Sequence, residues 1–361
     1  MSKGILFTAL LALVALSLFM LFRGEEFSLP RGEAVPFEEE NGEVTQGIEA
    51  EPFLKKEDTL QTRSMKSERK IFTTDGVKHS IALDEILSGG PGKDGIPSID
   101  SPKFLNNKEA NEFLNDTDPG IGLEINGKSR FYPYRILVWH EIVNDTLAGE
   151  PVLVTYCPLC ATGIVFKREV GGEIQEFGVS GKLWQSNLLM YNRLSAQALE
   201  DKESEESLWS QVLGEAVVGP QTGERLAIVS SDIVRWEDWK RIHPETEVLS
   251  PNTGVLRNYT HDPYGDYYTS DSVSFGAEFS DTRLHPKELV AGVELDGVFK
   301  AYHIKALPVG ETKDTFAGRE ILIQKDEADR LSLSADGAPL PYIPGFWFSW
   351  LAVHPETELY K

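Results

Sequence analysis

Cysteine is scarce in this 361-residue sequence, which contains only two cysteines. This scarcity excludes a disulfide-rich scaffold and leaves at most one disulfide. Basic residues are also few, because 35 lysines and arginines stand against 57 aspartates and glutamates, giving a formal net charge of −22. Such a balance argues against nucleic-acid binding and against electrostatic attachment to an anionic membrane surface. The composition, 41% hydrophobic and 25% charged, is otherwise that of a globular protein.

The sequence also lacks the short motifs of several enzyme classes. It contains no Gly-x-Ser-x-Gly, Walker loop, dinucleotide fingerprint or His-Glu-x-x-His, so no nucleotide cofactor is expected. Covalent haem is excluded as well, because Ala161 stands where a c-type haem motif needs histidine.

A long uncharged run lies near the N-terminus. Residues 5–22 are eighteen consecutive uncharged residues, and a helix of that length measures about 27 Å, enough to cross a hydrocarbon core. No small-x-small cleavage site and no lipidation cysteine follows. We therefore expect residues 1–23 to be a signal anchor, a single transmembrane helix with the bulk of the chain extracytoplasmic, periplasmic or extracellular. A cleaved signal peptide is the alternative.

Residues 24–65 are rich in acidic side chains and lack sustained periodicity. They contain eleven acidic and four basic residues together with three prolines. Such a segment buries too little apolar surface to offset the loss of chain entropy. We expect it to be an acidic flexible tether between the membrane and the folded part.

Three motifs occur twice, in the same order, in the rest of the chain. The pairs are Gly122 to Tyr132 with Gly292 to Tyr302, Asp145 to Gly149 with Asp314 to Gly318, and Trp236 to Glu247 with Trp347 to Glu358. This order predicts an internal duplication. We expect a β-rich α+β fold of two fused related halves, with a first repeat over residues 66–250 and a shorter second repeat over residues 251–361.

The first repeat is longer between its second and third motifs. There, 86 residues separate Gly149 from Trp236, whereas 28 separate Gly318 from Trp347. We expect a large insertion at this place, and we assign the Cys157–Cys160 turn to it. Because the second half has no counterpart of the cysteines, the first half is expected to carry the chemistry.

Local patterns predict several elements of these halves. Asn126-Gly127 and Asp296-Gly297 are strong two-residue hairpin signals. The apolar runs at residues 151–156 and 320–324 predict buried strands. Residues 236–243 predict a short helix that ends before the following proline.

The cysteines form a Cys157-Pro158-Leu159-Cys160 turn between two apolar runs. Such a turn is typical of a metal knuckle, in which both thiolates point to one ion. Thiolates select soft metals, so copper or zinc is the expected ion. A single cysteine pair needs further donors, and we nominate His140 as the nearest histidine and Met190 as the thioether. Both are also plausible core residues.

Other interpretations of the cysteine pair stay open. An exported CxxC sequence is also typical of a thiol–disulfide oxidoreductase, and a plain structural disulfide or inert free thiols are possible outcomes as well. A third class is a non-catalytic binding or scaffold module, whose tryptophan-rich faces contact an unknown protein or small-molecule partner. Glu141 and Asp145 form a possible acid/base pair, although Asp145 recurs in the second half and so favours a structural role.

Several of these motifs together resemble a known family. They are Trp139 to Asp145, Thr155 to Cys160, Phe177 to Gly181, Met190-Tyr191 and Glu206 to Gln211. The sequence over residues 95–361 resembles the bacterial domain-of-unknown-function family 3179. The resemblance implies an exported or membrane-anchored protein, but it implies no settled activity.

Overall fold

The computed structural model describes residues 69–194 and 206–361. The expected signal anchor over residues 1–23 and the acidic tether over residues 24–65 lie outside the described residues. Within the described part of the chain, no helix is long and apolar enough to cross a membrane.

Strands dominate the described chain, and its helices are short. The first strands are β1 (Phe72–Thr74), β2 (Val77–His79), β3 (Leu87–Ser88), β4 (Phe104–Leu105), β5 (Pro119–Ile125), β6 (Lys128–Pro133), β7 (Ile142–Leu147), β8 (Glu150–Cys157) and β9 (Thr162–Lys167). The next are β10 (Glu169–Val170), β11 (Glu173–Ile174), β12 (Glu176–Trp184), β13 (Asn187–Arg193), β14 (Leu208–Ser210), β15 (Glu215–Val218), β16 (Ile228–Val229), β17 (Asp232–Arg235) and β18 (Glu247–Leu249). The last are β19 (Leu289–Leu295), β20 (Val298–His303), β21 (Gly310–Phe316), β22 (Arg319–Lys325), β23 (Leu331–Ala335), β24 (Ala338–Pro339), β25 (Ile343–Phe346) and β26 (Glu358–Tyr360).

The α-helices are α1 (Asn107–Ala110), α2 (Tyr134–His140), α3 (Trp236–Ile242) and α4 (Trp347–Val353). Short 3-10 helices lie at Leu83–Glu85, Gly265–Thr269 and Ile304–Ala306. The expected β-rich α+β class is therefore confirmed. The predicted strands over residues 151–156 and 320–324 are confirmed as parts of β8 and β22, and the predicted helix as α3.

Two sheets have matching strand orders, β17-β5-β6-β18-β4 and β25-β19-β20-β26. In each sheet a central hairpin, β5–β6 or β19–β20, lies between an antiparallel strand on one side and a parallel strand on the other. Both hairpins turn at the predicted dipeptides, where Asn126 and Gly127 have φ of 51° and 72° and Asp296 and Gly297 have φ of 52° and 77°. Two consecutive positive φ values define the tight turn that suits twisted strands.

A tryptophan packs against a glycine in each of these sheets. A Cβ atom on Gly122 of β5 would lie 2.4 Å from the ring of Trp239, and one on Gly292 of β19 would lie 2.3 Å from the ring of Trp350. Both indoles are almost fully buried. Each glycine therefore provides the space in which the helix, α3 or α4, lies directly on its sheet.

Both helices also end in the same way. The residue after each helix, His243 or His354, has left helical conformation before a proline, because proline disfavours the helical region for the residue that precedes it. Beyond each proline a threonine hydroxyl, on Thr246 or Thr357, accepts a 2.9 Å hydrogen bond from the indole of the helix.

Two further sheets are four-stranded, with orders β16-β9-β8-β7 and β21-β22-β23-β24. A seven-stranded sheet, β1-β2-β15-β14-β13-β12-β3, is formed largely by strands that follow β9 in the chain. The cysteine turn joins β8 to β9, where Cys157 pairs with Thr162. The turn therefore precedes these additional strands in the chain, and the assignment of the cysteines to an insertion stays a prediction. Because β8 and β9 are paired antiparallel strands, the chain must turn between them.

The largest buried apolar cluster surrounds this turn. It contains both cysteines, residues of the long strands β12 and β13, and Phe346 and Phe348 from the end of β25 and the start of α4. The cysteine turn thus lies where a four-stranded sheet, the seven-stranded sheet and α4 meet.

Candidate cysteine site

The Cys-Pro-Leu-Cys sequence forms a strand-to-strand turn, as predicted. Cys157 is the last residue of β8, and β9 begins at Thr162. The Cys160 amide donates to the Cys157 carbonyl oxygen at 3.2 Å, and Ala161 follows with φ of 50°. This compact turn brings both side chains to the same end of the hairpin.

Both thiols are free and buried. Cys157 is 2% exposed and Cys160 is 0% exposed, and the two sulfurs hydrogen-bond to each other. Asn187 Nδ2 donates to Cys160 Sγ at 3.5 Å, and the Ser186 carbonyl oxygen lies 3.2 Å from the same sulfur. The hydroxyl of Ser349, on α4, lies against Cys160 and has no other partner among the described residues.

These surroundings separate the two thiols in acidity. Burial is the largest influence on both, and it raises the pKa of Cys157 well above its ordinary value, with the hydrogen bond to Cys160 adding to the rise. Burial also acts to raise the pKa of Cys160, but hydrogen bonds from Cys157, Ser349 and Asn187 outweigh it and lower that pKa. The Cys160 thiol donates to the Ser186 carbonyl oxygen, and of the two thiols it is the one that loses its proton more readily.

A glutamine orients the amide that donates to Cys160. Gln211 Oε1 accepts from Asn187 Nδ2 at 3.0 Å and from the Thr162 hydroxyl at 2.8 Å, while Gln211 Nε2 donates to the Thr155 hydroxyl at 3.0 Å. All four side chains are buried. Because each polar group in this network has a partner, Asn187 is held with its amide nitrogen at the sulfur.

A buried acid lies beside the cysteines. Glu141 follows α2 with φ of 59° and ψ of −30°, and its carbonyl oxygen accepts from the Tyr156 amide at 2.8 Å. Its side chain lines a partly enclosed cavity of about 170 Å³, whose walls include Leu159 and Leu188. Burial raises the pKa of Glu141 well above its ordinary value, and the negative charge of a Cys157 thiolate adds to the effect.

The two nominated metal donors differ in placement. Met190 is fully buried in the same apolar cluster as both cysteines. His140 uses both ring nitrogens elsewhere, because Nδ1 lies 2.7 Å from the Pro97 carbonyl oxygen and Nε2 lies 2.7 Å from the Tyr259 hydroxyl. Both ring nitrogens of His140 are thus engaged in hydrogen bonds, and its role as a metal ligand stays a prediction. Among the described residues, no group of three His, Cys, Asp or Glu side chains is arranged to hold a metal ion.

Comparison with known families gives one result. The family model described as "Protein of unknown function (DUF3179)" matches residues 93–337. The chain belongs to the DUF3179 family. No curated protein and no solved structure matches it significantly. The resemblance seen in the sequence is thus confirmed, and the matched region of this DUF3179 chain includes the cysteine turn.

The proposed acid/base pair of this DUF3179 chain is separated in the structure. The Asp145 carboxylate accepts from Arg130 Nη1 at 2.7 Å and from the Tyr132 hydroxyl at 2.6 Å. Glu141 instead lines the cavity at the cysteine turn. Asp145 is therefore a structural residue, as its recurrence in the second half indicated.

Three tyrosines cover the cysteine turn from the long connection before β19. We call residues 264–268 the tyrosine segment; Tyr264, Tyr267 and Tyr268 all pack on the cluster that contains the cysteines. The Tyr267 hydroxyl donates to the Leu159 carbonyl oxygen at 3.0 Å. Lys287 Nζ lies 3.5 Å from the centre of the Tyr267 ring and donates to that residue's carbonyl oxygen. The tyrosine segment therefore separates the thiols from solvent.

Sequence reasoning missed most of the groups around Cys160. The polar run at residues 180–187 supplies Ser186 and Asn187, and nothing in its composition indicates a contact with Cys160. Gln211 lies in a family motif, but nothing local indicates its contact with Asn187. Ser349 is 189 residues from Cys160 in the sequence, so no local pattern links them.

Proposed function

We propose that the Cys157–Cys160 pair performs reversible thiol–disulfide exchange. The observation that supports this most directly is the pair of free thiols that one compact turn holds side by side. The opposite displacements of their pKa values agree with it. A stabilised thiolate next to a protonated thiol is the arrangement that attacks a disulfide and then resolves the product. We favour the redox function over a metal centre because both ring nitrogens of His140 form hydrogen bonds, to Pro97 and Tyr259.

The chemistry needs a disulfide substrate and proceeds in two steps. First, the Cys160 thiolate attacks one substrate sulfur, so that a mixed disulfide forms while the second substrate sulfur leaves as a thiolate and takes a proton from water. Second, Cys157 attacks the Cys160 sulfur, and its proton passes to the substrate sulfur that leaves. The Cys157–Cys160 bond then forms, the first substrate sulfur leaves, and the substrate has gained the two electrons that the cysteine pair has lost.

Access to the pair requires movement of the tyrosine segment. Reactive cysteines are in general partly exposed, whereas both of these are buried. The covering contacts are few, namely the Tyr267–Leu159 hydrogen bond and the Lys287 contacts to Tyr267. Segments outside regular sheets open more readily than core strands, so we place substrate entry here.

The test uses the full-length chain in glutathione buffers of graded potential, followed by alkylation and mass spectrometry. We expect the two thiols to disappear together as one two-electron couple. The Cys157→Ser variant is expected to trap a mixed disulfide at Cys160, whereas Cys160→Ser traps none and reduces a small disulfide only at the background rate. Asp326→Ser, in the corresponding turn of the second half, serves as the control. Thiols that stay reduced at every potential would contradict the proposal.

A soft-metal site is the second candidate. Two sulfurs and the Met190 thioether share one buried cluster, and such donors suit Cu(I) or zinc. Elemental analysis of protein purified anaerobically without chelator tests this candidate. Metal bound to the wild type and lost in both Cys157→Ser and Met190→Leu would support it, and near-zero metal in all three proteins would exclude it.

We also propose that the fold arose by internal duplication. The matching strand orders support this interpretation, as does the equivalent packing of Trp239 on Gly122 and Trp350 on Gly292. In this interpretation strands β10–β15 are the insertion in the first repeat, because β24 follows β23 directly in the second. An experimental structure in which residues 120–150 do not superpose on residues 290–319 would refute it.

For location, we propose a membrane-anchored protein whose residues 66–361 lie outside the cytoplasm. The eighteen uncharged residues at 5–22 support the anchor. Protease treatment of spheroplasts is expected to digest the folded part, and the mature protein is expected to retain residues 5–22. Protection from protease would refute this topology.

A further inference from the structure

The cavity beside the cysteine turn has a composition that suits a ligand. Its apolar walls include Ile96, Val179, Leu183 and Leu188. Its volume of about 170 Å³ is close to that of cavities that accept one benzene molecule. Apolar cavities of this size bind small organic molecules because the walls gain dispersion contacts that an empty space cannot supply.

A deeply buried carboxyl group lines this cavity without a partner. Glu141 is 6% exposed, and its carboxyl group makes no hydrogen bond or ion pair among the described residues. Other buried carboxylates differ, since Asp145 accepts from Arg130 and Tyr132 and Asp238 pairs with Arg235. Buried polar groups in folded proteins are almost always hydrogen-bonded, so the Glu141 carboxyl lacks a partner that a bound molecule would supply.

The charges around the cavity indicate a neutral molecule. Lys182 also lines it and disfavours a cation. Burial of an ion between apolar walls would in addition cost more than any single contact returns. A protonated carboxyl group offers one donor and one acceptor, which a hydroxyl group matches with both of its own. The raised pKa of Glu141 agrees with the neutral form of the acid.

We infer that this cavity binds a small uncharged molecule with an apolar body and one hydroxyl group, and that the Glu141 carboxyl group anchors the hydroxyl. The inference goes beyond thiol–disulfide exchange, because it needs neither cysteine. It can therefore be tested on a Cys157→Ser/Cys160→Ser protein, so that failure of the redox proposal and failure of this inference are separate results.

The test compares phenol, benzene and benzoate binding to the full-length chain by ligand-observed NMR. One net hydrogen bond changes affinity by about 10-fold, so phenol is expected to bind about 10-fold more tightly than benzene. Benzoate is expected not to bind. Glu141→Leu should reduce the preference for phenol over benzene to about 1-fold while benzene binding persists, and Glu141→Gln, which still offers a donor and an acceptor, should retain the preference.

A cavity-filling variant provides the matched control. Val179→Phe places a larger side chain in the wall and is expected to abolish binding of both phenol and benzene. Circular dichroism and melting temperature establish that each variant is folded; if Glu141→Leu does not fold, Val179→Phe and Glu141→Gln still decide the question. Absence of phenol binding to the wild type, as for a cavity that holds only water, would overturn the inference. So would a phenol preference that Glu141→Leu leaves unchanged.

Discussion

The turn between β8 and β9 and the turn between β22 and β23 occupy the same place in two sheets of matching order, yet they are chemically opposite. The first contains two buried thiols. The second is held by ion pairs, with Arg330 donating to Asp326 at 2.6 Å and Lys325 pairing at 2.9 Å with Asp329, which is 72% exposed. The first turn is covered by the seven-stranded sheet and α4. The difference indicates that a buried thiol site depends on the seven-stranded sheet and α4, which cover the first turn, more than on the hairpin itself.

The largest loss of stability is expected at the two glycines on which the helix tryptophans pack. Gly122→Ala and Gly292→Ala each place a Cβ within 2.4 Å of a tryptophan ring, so each is expected to destabilise the protein by at least about 3 kcal/mol. Gly92→Ala is the control, because its Cβ meets nothing within 4 Å, and it should change stability by less than about 0.5 kcal/mol. Denaturant titration of the full-length chain measures all three. If only one of the two substitutions destabilised the protein strongly, the two glycines would not be equivalent.

Replacing the buried acid of each half, Asp145 or Asp314, should destabilise the protein by different amounts. The side chain of Asp145 is 5% exposed beside Arg130, and that of Asp314 is 16% exposed beside Lys300. Asp145→Ala removes the more deeply buried of the two acids and leaves Arg130 with the exposed Glu247 as its ion-pair partner. It is expected to cost about 3 kcal/mol, against about 1–2 kcal/mol for Asp314→Ala. Equal losses in denaturant titrations would mean that the difference in burial has no energetic consequence.

The histidines after α3 and α4 provide a test by pH. Burial lowers the pKa of His354 to about 3, with the charges of Arg69 and Arg225 adding to the effect. The unfolded chain therefore binds this proton first, so stability is complete above about pH 6.5 and decreases as the pH falls towards 3. From pH 7 to pH 5 the loss attributable to His354 is about 2 kcal/mol. His354→Gln should remove that part of the acid sensitivity of the melting temperature, and His243→Gln, at the matching position, should retain it.

The smallest expected effect is on the reactivity of Cys160, and it should follow from a change at Ser349 of α4 but not at the matching Asp238 of α3. Ser349 of α4 lies against Cys160, whereas Asp238, at the same position of α3, pairs with Arg235 at 3.0 Å. Ser349→Ala removes a donor to the thiolate, so the pKa of Cys160 should rise and alkylation at pH 7 should slow by up to about 10-fold, equivalent to one pKa unit. The rate as a function of pH distinguishes this effect from simple misfolding. Asp238→Ala should leave the profile of Cys160 unchanged.

Local signals predicted the parts of the fold that local physics determines. The Asn126-Gly127 turn, α3 and the strand-to-strand position of the cysteines follow from turn residues, proline and apolar runs that lie next to one another in the chain. The Cys157–Cys160 pair was recognisable for the same reason. The bounds of the insertion could not be predicted in the same way, because a length difference does not reveal where between two motifs the extra residues enter.

The surroundings of the cysteines could not be predicted in this way. His140 is near them in sequence, but its ring is held by Pro97 and Tyr259, which only the tertiary fold brings together. Ser349 approaches Cys160 from α4, the helix that packs on the sheet containing β19. Contacts between distant segments depend on how whole sheets pack, and no periodicity in a single sequence encodes them.

The contact of the second half with the cysteine turn has a consequence for biosynthesis. The Phe346 amide donates to the Cys160 carbonyl oxygen at 2.8 Å, and this covering strand is made 186 residues after Cys160. At a synthesis rate of about 5–20 residues per second, the thiols lack this cover for roughly 10–40 s. The nascent chain therefore passes through a period in which oxidants and folding catalysts reach its two thiols without any movement of the tyrosine segment, and the pair can first be oxidised before the chain is complete.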